Sequence, residues 1–171
     1  MKRVILMILT AGIMAVTPAL AADVKFGYID MQRALNTSDA GKEAKEQLSG
    51  RLKKYQDDIN QKQNDLKKLK DELEKQGALL SESARGAKEK DYQQKLKELQ
   101  RSAKDAEDDL RGKDEESARK IFEAIDKIIQ EFGRSKGYTF IFVRNEAMAF
   151  ASDKADVTDE IIKLYNAGRK K

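Results

Sequence analysis

Thirty carboxylates, with no histidine and no cysteine, bound the chemistry open to this sequence. Without thiol or imidazole the chain cannot form a disulfide, a Cys/His zinc site or a catalytic dyad that uses either residue. Carboxylate chemistry remains: two close Asp or Glu side chains could hold a hard cation or share acid–base work. The spacing points elsewhere. Acids alternate with Lys and Arg along helical stretches such as Lys67-Lys68-Leu69-Lys70-Asp71-Glu72, which makes solvated ion pairs worth little each. No Gly-rich loop ending in Lys and Ser/Thr is present to cradle a nucleotide, so an energy-driven cycle is not expected. No catalytic residue, no cofactor and no metal are therefore predicted. A charged fraction of 37% with 6% aromatics suits long solvated helices.

The helices that would carry those charges are read from apolar spacing. Leu48, Leu52, Tyr55, Ile59, Lys62, Leu66, Leu69, Leu73, Gln76 and Leu80 step by four and three without a break. A period of 3.5 residues marks the narrow seam of a coiled coil. From Leu48 to Leu80 that seam is roughly 50 Å long at about 1.5 Å per residue. A second arm repeats the pattern with Tyr92, Leu96, Leu99, Ala103, Ala106 and Leu110. Ala118, Ile121, Ile125, Ile128 and Phe132 continue it only after a slip of four residues near Asp114, beside the helix-weakening Gly112. Beyond the slip the apolar face widens to include Phe122 and Ile129, so this end is the root, buried in a body, and the other is a solvated tip. Splaying of the arms is predicted near Gly112 and the opposite stretch of the first arm. Lys62 reads as a snorkelling side chain, and Tyr55 and Tyr92 as seam residues with their hydroxyls at the edge.

Residues 1–21 read as a cleavable export signal. Lys2 and Arg3 precede an apolar run from Val4 to Val16, and Ala19-Leu20-Ala21 offers the small-x-small cleavage pattern, with the cut after Ala21 or Ala22. Losing Lys2 and Arg3 leaves 32 basic against 30 acidic residues, and the net charge falls from +4 to +2. That balance and the export signal argue against nucleic acid as a partner. The Arg169-Lys170-Lys171 tail reads as a frayed, solvated end. Val24 to Asp30 alternates as a strand, with Val24, Phe26 and Tyr28 on one face and Ile29 on the other, and Asp30 is a turn or cap group. Met31 to Leu35 is a short helical turn, and Asn36-Thr37-Ser38 caps the long helix, a use preferred to glycosylation of the same triplet. Gly77 and Gly86 bracket the hairpin tip, where Ser81 or Ser83 caps the returning helix. Gly133 and Gly137 mark the end of that arm. Tyr138-Thr139-Phe140-Ile141-Phe142-Val143 is a strand covered on both faces. Arg144-Asn145-Glu146 turns, and Ala147 to Ala151 returns as a second strand. Asp156-Val157-Thr158 caps a last helix whose Ile161, Ile162, Leu164 and Tyr165 pack on the sheet, ending at Gly168.

The expected fold is α+β and mainly α: a long antiparallel coiled-coil hairpin on a small β body that oligomerisation completes. The divisions are 1–21 (signal), 22–37 (strand and connection), 38–136 (hairpin, tip near 77–86) and 137–171 (β-hairpin and final helix). So few strands leave bare edges, and copies of the chain are the simplest cover. Phe26, Tyr28, Ile29, Tyr138, Phe140, Ile141 and Phe142 are the candidate residues of that shared body.

One order of segments carries a resemblance: the signal, Gly27-Tyr28-Ile29-Asp30-Met31-Gln32-Arg33-Ala34, then Ala40-Gly41-Lys42, the hairpin, Tyr138-Thr139-Phe140-Ile141-Phe142 and Asp156-Val157-Thr158. It resembles the Skp/OmpH family of Gram-negative periplasmic chaperones. The resemblance implies a homotrimer with a shared β-barrel and three helical tentacles. It further implies that unfolded outer-membrane proteins are held between those tentacles without ATP. Contact with a membrane surface or lipopolysaccharide has only weak support from the small net charge. A structural spacer or envelope adaptor is the alternative, because periplasmic efflux adaptors also carry long hairpins, though within larger β-domains than these flanks can build.

Overall fold

The computed structural model describes residues 24–76 and 79–169. The export signal, its cleavage point, Gly77 and the Lys170-Lys171 end lie outside them. The elements in order are β1 (Phe26–Ile29), α1 (Met31–Thr37), α2 (Asp39–Gln76), α3 (Glu82–Lys136), β2 (Phe140–Val143), a 3-10 turn (Asp153–Ala155) and α4 (Thr158–Gly168). Helices α2 and α3 pair as an antiparallel hairpin. Their 38 and 55 residues extend roughly 57 and 80 Å at about 1.5 Å per residue. The fold is thus α+β and mainly helical, as the heptads imply.

Local chemistry sets the ends of these helices. The Asp30 carboxylate accepts from the Arg33 N–H at 2.8 Å and starts α1. Ser38 ends α1 and caps α2, its hydroxyl accepting from the Gly41 N–H at 3.2 Å. Ser81 caps α3 through the Ala84 N–H at 3.3 Å. Gly86 lies inside α3 rather than at the tip, because the Ser81 cap starts the helix five residues earlier. Gly133 is likewise helical, and the arm ends at Gly137, whose φ of 69° lies in the left-handed region.

The body is small. Ile29, Ala34, Ile121, Ile125, Phe132, Val157, Ile161 and Tyr165 form its buried cluster, with Phe122, Ile128 and Ile129 half-buried, so the wide end of α3 is indeed the root. α4 lies mainly against α1 and α3 rather than on the sheet. Consequently Leu164, expected to pack, stays 46% exposed.

The sheet departs from expectation. β1 and β2 pair in parallel, Phe26 opposite Phe140 and Ile29 opposite Val143. Parallel strands need a long crossover, and the whole helical hairpin serves as one. The anticipated antiparallel return strand at Ala147–Ala151 is absent. Asn145 does make a turn: its carboxamide oxygen accepts from Ala147 N–H and its carbonyl from Met148 N–H, both at 3.0 Å. That turn carries the chain over Tyr28 instead of back along β2. β1 has taken one edge of β2, and Asp156 bridges the other side of β1 at Tyr28.

Candidate functional site

Two surfaces stand out on this frame. The first is the outer face of the sheet. Phe26, Phe140 and Phe142 are about half exposed, at 52%, 54% and 49%. Their rings stack with centroids 5.9 to 6.3 Å apart. Val24 extends the apolar patch, while Val143, also exposed, is paired with Ile29 and lies on the other face of the sheet. Not all seven candidate body residues lie there. Ile29 is fully buried in the protomer core, and Tyr28 is covered by the 148–153 segment. Tyr138 stacks on Phe132 at 5.6 Å beneath the Lys25 ammonium. Ile141 faces Gly133. Strand alternation explains part of the division: Ile29 and Ile141 lie on the face that closes on the helices, and Phe26, Tyr28, Phe140 and Phe142 on the other, of which the 148–153 segment covers the Tyr28 end.

The second surface is the hairpin. Leu48, Tyr55, Ile59, Leu66, Leu69, Leu73, Leu80, Tyr92, Leu96, Leu99 and Leu110 are half-buried along the seam. Leu52 departs from the heptad and is 50% exposed. At this level the contact between the arms is polar: Asp109 bonds Tyr55 Oη at 2.9 Å and Arg51 Nη1 at 3.3 Å, on either side of Leu52 in sequence. Ala103 is also exposed, and Ser102 turns inward in its place. Lys62 buries its stem and pairs with Asp58, as a snorkelling residue does. A polar cleft of about 220 Å³ opens between the arms where the heptads slip. It is lined by Leu48 and Arg51 on α2 and by Lys113, Asp114, Glu116 and Lys120 on α3. Hydrogen bonds from Lys120 and Lys113 hold the Glu116 carboxyl down at about 2.

A family model described as "Outer membrane protein (OmpH-like)" matches residues 25–165, spanning both strands and the hairpin. The chain belongs to the OmpH-like family. Its fold is similar to the crystal structure of an OmpH-like protein from Caulobacter crescentus CB15 that has been put forward as an outer membrane chaperone. The TM-score is 0.78 at 17% identity, over 89% of this chain and 88% of that one, so the likeness is one of fold. No curated protein matches the chain.

The OmpH-like body is tied together by a polar lock that the sequence reading missed. Asp156 Oδ2 pairs with Arg33 at 2.9 Å, while Oδ1 accepts from the Thr158 N–H at 2.8 Å and its hydroxyl at 2.5 Å. Thr158 Oγ1 in turn accepts from the Asp30 N–H at 3.0 Å. The two segments that carry the family resemblance, 27–34 and 156–158, are thus bonded to each other. Asp-x-Thr ahead of an apolar helix was the visible signal, but its partner, more than a hundred residues away, was not. At the other end of α4, Arg169 pairs with Glu43 at 2.7 Å and Asn166 accepts from the Asp39 N–H at 3.0 Å.

Burial pushes the Asp156 carboxyl up, but the Thr158 hydrogen bonds and the Arg33 charge outweigh it and leave it below the usual carboxylate range. A lowered pKa contributes stability that is present above the unfolded value and lost as pH falls through the folded one. Asp156→Asn is expected to lower stability at neutral pH by about 1–3 kcal/mol, through the weakened lock. It should also flatten part of the loss seen below about pH 4. Melting temperature against pH, at fixed protein concentration, checks both. An unchanged neutral value with an unchanged acid limb would remove Asp156 from the lock.

Proposed function

We propose that this OmpH-like chain is exported to the periplasm and acts as an ATP-independent holdase. It binds unfolded outer-membrane proteins between helical arms and keeps them from aggregating on the way to the membrane. It works as a homotrimer whose subunits share the β body. The observation that carries this reading is the combination of a bare, stacked aromatic sheet face at the base with long, solvated arms above it. Copies of the chain are the partner that fits the base, since one parallel pair of short strands needs its open face covered. Once the bases join, the arms form a cage whose walls offer many weak contacts rather than one deep pocket. Such a surface suits a client that is itself unfolded and alternates polar with apolar residues. Family membership and the fold shared with a protein put forward as an outer membrane chaperone support the same reading.

The test is dilution of a urea-unfolded outer-membrane β-barrel into the purified mature protein. Light scattering should be suppressed at a few-fold molar excess. Mass photometry should resolve a complex of one client with three chains. Undiminished aggregation at that excess would reject the holdase reading and favour a structural spacer.

A further inference from the structure

The bare face of the sheet begins where the chain enters it. Val24, where the described residues begin, is 53% exposed and shares its side of β1 with Phe26. Lys25 fixes that orientation. Its N–H donates to Thr139 Oγ1 at 3.3 Å and its ammonium to the Lys136 carbonyl at 3.0 Å. The same ammonium lies 4.0 Å from the centre of the Tyr138 ring, which is stacked on Phe132 of α3. Lys25 is thus held on the helix side, and Val24 issues onto the open side. Parallel pairing sets Phe26 opposite Phe140 at this same entry end. Whatever precedes Val24 is therefore tethered to the rim of the aromatic face. What precedes it is the run Val4 to Val16, mainly Ile, Leu, Met and Val and without a charge. Only Thr17 to Asp23 separate that run from Val24. Fully extended, this link reaches about 25 Å. The rings to be covered lie only 5.9 to 6.3 Å apart.

We propose that, until the export signal is removed, its apolar run folds back and covers Phe26, Phe140 and Phe142. Concentration selects this occupant over a second copy. A link this short gives the run an effective concentration of about 1 mM at the face. A second copy at micromolar concentration is about a thousandfold more dilute. The chemistry also fits, since Ile, Leu and Met side chains pack well on aromatic rings. While attached, the signal holds the face; after the cut at Ala21 or Ala22, copies of the chain gain it. Cleavage is then the step that licenses assembly. A chain kept single before export can still be threaded across a membrane, whereas a trimer with a shared body cannot. The inference rests on the reading of the chain as an exported homotrimer.

The test uses the full precursor, residues 1–171, made without signal peptidase, beside the mature chain. Phe142→p-benzoylphenylalanine sets a photoreactive ring on the face. Irradiating dilute precursor should join that ring to residues 4–16 of the same chain, read by mass spectrometry. With Phe142 restored, sedimentation should show the precursor forming trimers only at about tenfold or more the concentration that the mature chain needs. Leu6→Asp with Leu9→Asp should abolish the intrachain product and return assembly to the mature concentration. Cross-links to a second copy alone, or a precursor that forms trimers as readily as the mature chain, would overturn the proposal. So would an intrachain product that the two aspartates leave unchanged, which proximity alone would give. A mature chain that stays monomeric, with the intrachain product still formed, would strike the trimer and leave the docking in place. Failure of the docking, with client aggregation still suppressed by the mature protein, would leave the holdase intact.

Discussion

The mature protein carrying Phe140→Ser and Phe142→Ser is expected to sediment as a monomer where the parent, on the proposed reading, is expected to sediment as a trimer. Both rings are about half exposed in the protomer, and they stack on each other and on Phe26 rather than on the core. Covering the remaining half of each ring yields about 1 kcal/mol. Two rings in each of three subunits therefore supply about 6 kcal/mol of the association, before counting the cost of burying serine hydroxyls without partners. That is roughly four orders of magnitude or more in the trimer constant. The protomer should keep its fold, because Ile29, Ile125 and Ile161 at the centre of the core are untouched. Leu164→Ser, on the exposed side of α4, is the matched control and should leave the assembly alone. Analytical ultracentrifugation at micromolar concentration reads the result. A trimer that survives the double substitution would show that the aromatic face is not the seal.

The same residues mark how far the sequence could be read. Stacked heptads made the hairpin and its root legible, because a 3.5-residue period is a local signal repeated many times. The aromatic run at 138–143 was legible as a strand for a similar reason. Its partner was not. A local pattern shows neither that β1, on the far side of a hundred-residue excursion through the arms, pairs with β2 nor that the chain after Asn145 leaves the sheet. Tyr28 and Ile29 were both assigned to the shared body although they lie on opposite faces, because alternation says which residues share a face, not which face the helices cover or what lies over the other. Leu52 illustrates the opposite limit. It keeps the seven-residue spacing in sequence, yet it is half exposed, and the contact between the arms beside it is made by Asp109 with Tyr55 and Arg51. Long-range hydrogen bonds such as Arg33 to Asp156 leave no periodic trace at all.

Gly41→Ala should be the most damaging single methyl group in the chain. α1 and α2 meet at Ser38 alone, which is fully buried, and the bend brings the Gly41 α-carbon against the carbonyl of Leu35. A Cβ there would sit 1.6 Å from the Leu35 oxygen and 2.8 Å from its carbon, both backbone atoms that no rotamer change can move. Relieving the clash means opening the elbow. That would break the Ser38 cap on Gly41 at 3.2 Å and pull Asp39 and Glu43 away from Asn166 and Arg169 of α4. Helix propensity alone predicts the reverse sign, a gain of about 1 kcal/mol from replacing glycine by alanine. Crowding of this kind costs about 3 kcal/mol or more, so the clash wins. In a chain of this size the melting temperature should fall by roughly 6–12 °C, read at fixed protein concentration because the proposed assembly would contribute to it. Gly50→Ala and Gly112→Ala, each with open space around the new methyl, should each raise it by a few degrees. Three identical substitutions in long helices would then differ in sign for one reason, the distance from the new carbon to the nearest backbone atom. If Gly41→Ala melts with or above the parent, the elbow is looser than its geometry requires. The angle between arm and body would then have to be held by α4 alone.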